Sequence, residues 1–225
     1  MHHASIQKVS VLPASRELTP PSLTQAYACL ACGPSFEQAL AASPEMSQAF
    51  AELPRLKLAQ GQYLLHLGDD VDSTWWVASG LARAYVSDGR GQERNTAFFT
   101  AGDWIGLGVP PQLVVSSVQV QALQALQLVR LSYAQLRQWL DKGSNNAAQY
   151  SVSAMLADAL RELFDRQAQR QAQLLLMSAS ERYQHLLAEA PPWLPMVAQH
   201  QVASYLGVTD VALSRIRKRL GLIGK

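Results

Sequence analysis

The chain has little of what would place it outside a reducing compartment. Of its 225 residues only two are cysteine, Cys29 and Cys32, too few for a disulfide framework. No apolar run approaches the roughly 18 to 20 residues needed to cross a bilayer. The N-terminus shows no charged stretch leading into an apolar one, as a secretory leader would. A cytoplasmic protein that avoids the membrane is the expectation. Charge is sparse as well: 16% of residues are charged and the net charge is +2, which excludes a polycation that coats nucleic acid or lipid indiscriminately. Enzyme motifs are missing: no Gly-x-Ser-x-Gly elbow, no phosphate-cradling loop ending in Lys-Ser/Thr, no His-Glu-x-x-His. His66, His185 and His200 stand alone, without a partner at metal-ligand spacing.

What is present concentrates near the C-terminus. Gln199 to Arg219 reads as two short helices around a tight turn. Val202, Ala203 and Leu206 fall at helical spacing and Gly207 ends the first helix, because glycine tolerates the left-handed conformation of a helix end. Thr209 is the N-cap of the next helix, and the small Ala203 lets that helix cross close above the first. On a 3.6-residue wheel Leu213, Ile216 and Leu220 share one side. Val211, Ser214, Arg215 and Lys218 share the other, flanked by Arg217 and Arg219. After Asp210 no acidic residue balances this charge. A helix with an oily back and a cationic front suits the major groove, where arginine reads guanine edges and the other cations neutralise phosphates. A surface helix with a solvated charge run is the plainer reading. Candidate DNA contacts are Gln199, Thr209, Asp210, Val211, Ser214, Arg215, Arg217, Lys218 and Arg219.

The rest of the chain divides in order. Residues 1–22, interrupted by Pro13, Pro20 and Pro21, read as a flexible arm. From Leu23 to Leu53 alanine-rich text suggests short helices, with Ser35 and Ser43 as N-caps and Pro44 at a first helical position. From Leu56 short strands alternate with glycine turns. They are expected near Lys57–Ala59, Tyr63–Leu67, Trp75–Val77, Leu81–Val86, Thr96–Phe99, Val114–Val120 and Leu126–Leu131. Ser87-Asp88-Gly89 marks a hairpin. Such text indicates an antiparallel barrel or jelly roll, with Trp75, Trp76, Phe98, Phe99 and Trp104 in its core.

Ser132 caps a helix over Tyr133–Leu140, and a long periodic segment follows from about Asn145 to Gln171. Val152, Leu156, Ala159 and Leu163, widened by Met155, Leu160 and Phe164, form a broad stripe. Its partner is either the chain's own barrel or a second copy of the same helix; a homodimer is favoured, because duplex-reading helix-turn-helix proteins work in symmetric pairs. Ser178 with Glu181 forms a capping box, which makes 174–180 the expected joint. The domains are therefore a 1–22 arm, a barrel over 23–141, a long helix over 142–173 and a DNA-binding part over 174–225.

This order of parts resembles the Crp/Fnr family of bacterial transcription regulators. The likeness rests on Ser79-Gly80, Asp88-Gly89, Gly102-Asp103-Trp104-Ile105-Gly106, and Gly207-Val208-Thr209 followed by Leu213-Ser214-Arg215-Ile216. It implies an α+β fold: an N-terminal antiparallel β-barrel or jelly roll of cyclic-nucleotide-binding type, a dimerisation helix and a C-terminal winged helix-turn-helix. It also implies duplex DNA, a second copy of the chain and RNA polymerase as partners, and an effector pocket at Trp104, Ser116 and Ser117.

Three departures accompany the likeness. Leu107-Gly108-Val109-Pro110-Pro111 offers no ribose-binding glutamate. Ser116, followed by Ser117, stands where cyclic-AMP-binding members place a phosphate-gripping arginine, so cyclic AMP is expected to bind weakly or not at all. Val211 replaces a cytosine-reading glutamate and offers only apolar contact, for instance with a thymine methyl. Finally, with only Gly221 to Lys225 after the helix, a missing or rudimentary wing is expected, which should reduce phosphate contacts. Cys29 and Cys32 invite an iron–sulfur or redox role, but a cluster takes four thiolates, so inert packing is the expectation and no resident cofactor or metal is assigned.

Overall fold

The computed structural model describes residues 44–106, 114–142 and 147–222, with few side chains of the long helix before Leu160. These all lie in one compact unit, 34–225. The expected arm, the helices before Pro44, Cys29 and Cys32, and the Leu107–Pro111 loop fall outside the described residues.

After helix α1 (Pro44–Ala51), which opens on its proline, come ten strands among the described residues. They are β1 Arg55–Leu58, β2 Tyr63–Leu65, β3 Asp70–Val71, β4 Ser73–Ser79, β5 Ala82–Ser87, β6 Glu93–Phe99, β7 Trp104–Ile105, β8 Val114–Val115, β9 Gln119–Ala122 and β10 Leu126–Ser132. Among the described residues they form antiparallel sheets in the orders β1-β10-β4-β7, β2-β9-β5-β6 and β3-β8. Burial alternates along β1 and β9, whereas β4 is buried from Ser73 to Val77 and β5 from Ala82 to Tyr85. Leu65, Val71, Trp75, Val77, Ala82, Ala84, Ile105, Val120, Leu126 and Leu128 meet in the barrel core. Gly80 makes the turn between β4 and β5 with φ +98°; a Cβ there would stand 2.2 Å from the carbonyl oxygen of Ala125, so no other residue fits.

The helical half follows. Ser132 caps α2 (Tyr133–Lys142): its Oγ accepts from Gln135 N at 3.1 Å and its own N donates to Gln135 Oε1 at 3.0 Å. Helix α3 runs from Ala147 to Leu176, about 45 Å at 1.5 Å per residue. Helix α4 (Ala179–Glu189) opens on the expected capping box of Ser178 and Glu181. A 3₁₀ turn at Leu194–Met196 leads to α5 (Gln199–Leu206) and α6 (Asp210–Arg219).

Several expectations need correction. The segment Val114–Val120 is not one strand: β8 pairs with β3 and β9 with β2 and β5, because Ser116 leaves the ladder to bond Gly68 and Asp69. The hairpin expected at Ser87-Asp88-Gly89 does join β5 to β6, with Gly91 as its left-handed glycine at φ +78°. There Asp88 Oδ1 accepts from the backbone N of Arg90 and Gln92, both at 2.9 Å. Helix α3 continues through Leu174–Leu176, so the joint shrinks to Met177 and Ser178. Phe98, on β6, belongs to a second core with the C-terminal helices and not to the barrel core.

A candidate nucleic-acid interface on helix α6

The local signals at α5 and α6 act as the sequence requires. Gly207 takes φ +72° as the C-cap of α5, and Thr209 Oγ1 accepts from Ala212 N at 3.2 Å to open α6. Ala203, Leu213 and Ile216 are buried, with Leu213 and Ile216 packed on Val202, Ala203 and Leu206. That leaves the other side of α6 in solvent: Val211 is 61% exposed, and Asp210, Ser214, Arg215, Lys218 and Arg219 are exposed. Gln199, the first residue of α5, is exposed too. Arg217 differs: it is half-buried, and its Nε is enclosed without a hydrogen-bond partner among the described residues. Asp210 and the trio Arg217, Lys218 and Arg219 sit at opposite ends of α6, each where its sign complements the helix dipole.

What seats the two helices leaves no pattern in the sequence. Arg170 of α3 donates to the carbonyl of Tyr205 and lies over its ring at 4.1 Å. Arg182 of α4 donates to Leu206 O at 3.2 Å and Met177 O at 2.7 Å. Both guanidiniums thus satisfy the last carbonyls of α5, the negative end of its dipole. Burial, with Arg182 nearby, lowers the Arg170 pKa from its ordinary value; burial raises that of the Tyr205 hydroxyl. Beneath them lies an aromatic cluster: Phe98 stacks on Trp193 with centroids 4.3 Å apart, and Tyr205 stands edge-on to Trp193 at 5.1 Å. Leu81 and Phe98 of the barrel segment thereby join Tyr183, Leu186 and Trp193 in one core with α5 and α6.

The expected effector residues have different neighbours. Trp104 meets Trp76 edge-on at 5.2 Å. Trp76 alternates with the inward Trp75 and Val77 along β4 and is not part of the barrel core, so Trp104 lies on that outer face. Ser116 is buried, and its Oγ donates to Val118 O at 2.7 Å; Ser117 is exposed. His66 stacks on Tyr63 at 4.5 Å, and His185 lies 3.1 Å from Glu189. No helix among the described residues is long and apolar enough to cross a membrane.

A jelly-roll barrel, a thirty-residue helix and a helix-turn-helix follow one another on the chain, a fold it shares with its structural neighbours. Residues 55–142 match the family of cyclic nucleotide-binding domains, and the chain carries that domain. The chain is 24% identical to the transcriptional regulatory protein btr of Bordetella pertussis, over 76% of its own length and 72% of that protein's. Its fold is similar to that of CLP, described as a c-di-GMP-responsive global regulator of Xanthomonas campestris. There the TM-score is 0.63 at 17% identity, covering 79% of this chain and 91% of that one. A CooA mutant from Carboxydothermus hydrogenoformans gives 0.62 at 17% identity, covering 86% and 88%. The Bordetella protein and CLP are both described as regulators.

Proposed function

We propose that the chain is a sequence-specific DNA-binding transcription regulator that works as a homodimer. The observation that supports this most directly is α6 itself, held by Leu213 and Ile216 while Arg215, Lys218 and Arg219 face solvent. In this reading Arg215 contacts a guanine edge, Val211 lies against an apolar base edge, and Lys218 and Arg219 meet phosphates. Ser214 and Thr209 add hydroxyl contacts, with Gln199 at the start of α5 beside the backbone. Selection of bound duplexes from a random pool tests it: wild type is expected to enrich one half-site, and Arg215→Ala to relax one position in it. Unchanged selectivity in that variant would remove Arg215 from the reading role.

Dimerisation is supported by the apolar residues left open on α3. Leu160 and Leu163 are 40% and 41% exposed, and Phe164 is 73% exposed. Phe164→Asp is expected to raise the dimer dissociation constant by about a hundredfold in sedimentation equilibrium, an effect of hot-spot size. In this reading cyclic AMP binds weakly or not at all. Ser116, at the position of the phosphate-gripping arginine, has its hydroxyl committed to Val118 O and offers no guanidinium. Isothermal titration giving a low-micromolar constant for cyclic AMP would overturn that point.

A further inference from the structure

β6 is an edge strand of its sheet, and an edge leaves backbone N–H and C=O groups that need partners. Ser204 of α5 serves both signs: its Oγ accepts from Asn95 N and donates to Glu93 O, each at 3.0 Å. Beside it the Asn95 amide donates to Gln201 O at 3.0 Å and to Gln201 Oε1 at 2.7 Å. Arg83 of β5 closes the group. Its Nη1 donates to Gln201 Oε1 at 3.2 Å and Asn95 Oδ1 at 3.3 Å, and lies 2.7 Å from Glu93 Oε2. Its Nε and Nη2 donate to Gln121 Oε1 on β9 at 3.1 and 2.8 Å, and the Tyr85 ring lies 4.1 Å away. Arg83 and Asn95 are 7% and 3% exposed, and the described α5 face that covers them is Gln201 and Ser204.

The choice of chemistry is informative. Apolar side chains would glue α5 to the barrel at least as firmly as buried polar ones, and the neighbouring Phe98–Trp193–Tyr205 cluster already does so. Stacked rings tolerate sliding and rotation; directed hydrogen bonds do not. What the polar group adds is register. It ties three strands, through Glu93 and Asn95, Arg83 and Gln121, to two residues on the helix that carries α6.

We propose that Arg83, Asn95 and Gln201 form an interdomain hasp that fixes the orientation of the reading helix on the barrel. Asn95 and Gln201 act as positioning residues. The inference rests on the DNA-binding and dimer readings above, and it has a distinct consequence. A single α6 still reads one half-site when the hasp is loose, but two of them no longer sit at a fixed separation.

The test uses the full chain and variants N95A, Q201A and Q201E, with amide hydrogen exchange over residues 199–206 and binding to selected duplexes carrying one or two half-sites. N95A and Q201A are expected to raise exchange in α5. They should also weaken two-half-site binding on the order of tenfold, as loss of a buried charge-assisted hydrogen-bond group does, and leave one-half-site binding unchanged. Q201E keeps the acceptor for Arg83 and Asn95 and should restore slow exchange. Unchanged exchange, unchanged or tighter two-half-site binding, or an equal loss on one half-site would each overturn the hasp. If the wild type bound no duplex, the functional reading would fail instead, and exchange alone would decide whether Asn95 and Gln201 fasten α5.

Discussion

The two cores of the molecule are built differently. The barrel core is largely aliphatic, with Leu65, Val77, Leu126 and Leu128 around Trp75, and its residues come from the strands and from Tyr133 at the start of α2. The second core is aromatic at its centre, with Phe98, Tyr183 and Trp193 and with Tyr205 packed against it, and it draws on both halves of the chain. The barrel closes on itself. The helix-turn-helix does not: Leu81, fully buried, and Phe98 come from the barrel segment to complete it. The orientation of the reading helix is therefore a property of the barrel's edge as much as of the helices themselves.

That contrast can be broken most forcefully at Phe98. Phe98→Ala is expected to destabilise the helix-turn-helix by about 3–5 kcal/mol, the usual cost of emptying a buried aromatic site. In denaturant the C-terminal part should melt before the barrel; a single lowered transition would mean the two cores are one cooperative unit. Gly80→Ala attacks the barrel side. Left-handed strain together with the approach to the Ala125 carbonyl should cost roughly 3 kcal/mol. Because Gly80 delivers Leu81 to the second core, both transitions should fall. Thr209→Ala is milder, at about 1 kcal/mol from loss of the cap, and should lower only the C-terminal transition.

Acid supplies the smallest effect and tests both regions together. The Ser73 hydroxyl and the Arg130 guanidinium hold the Asp72 carboxyl below its ordinary value on the barrel. The Ser178 backbone N–H does the same for Glu181 at the start of α4. A depressed carboxylate stabilises the fold above its unfolded pKa and loses that contribution as pH falls through the lower folded value. Both regions should hold their stability to about pH 4 and lose a little below it. Matched melts at pH 7 and pH 3 of wild type, Asp72→Asn and Glu181→Gln would show the variants less pH-sensitive, each in its own transition.

The legibility of these parts in the sequence follows the range of their contacts. Gly207, Thr209, Leu213 and Ile216 act on residues within a turn or two, so their spacing gave the helix-turn-helix and its exposed basic face. The capping boxes at Ser132 and Ser178 are equally local. The barrel was readable as a class, but β3 and β7 are two residues each and carry no period. Phe98 looks like any strand aromatic; its packing on Trp193, far along the chain, decides which core it joins. Arg170, Arg182 and the Arg83–Asn95–Gln201 group leave no pattern, since Arg83 and Gln201 lie 118 positions apart. The Trp104 ring lies against Trp76, a pairing across β4 and β7 that leaves no local pattern.

The central claim is that a cationic helix face meets duplex DNA from two copies at once. Titrating a two-half-site duplex with the protein across a range of salt concentrations tests it most directly. Exposed Lys218 and Arg219, meeting phosphates in each of two copies, predict that log K falls linearly with log salt, with a slope of about −3.6, shallower in Lys218→Ala. A slope near zero, or no complex even in dilute buffer, would contradict the account.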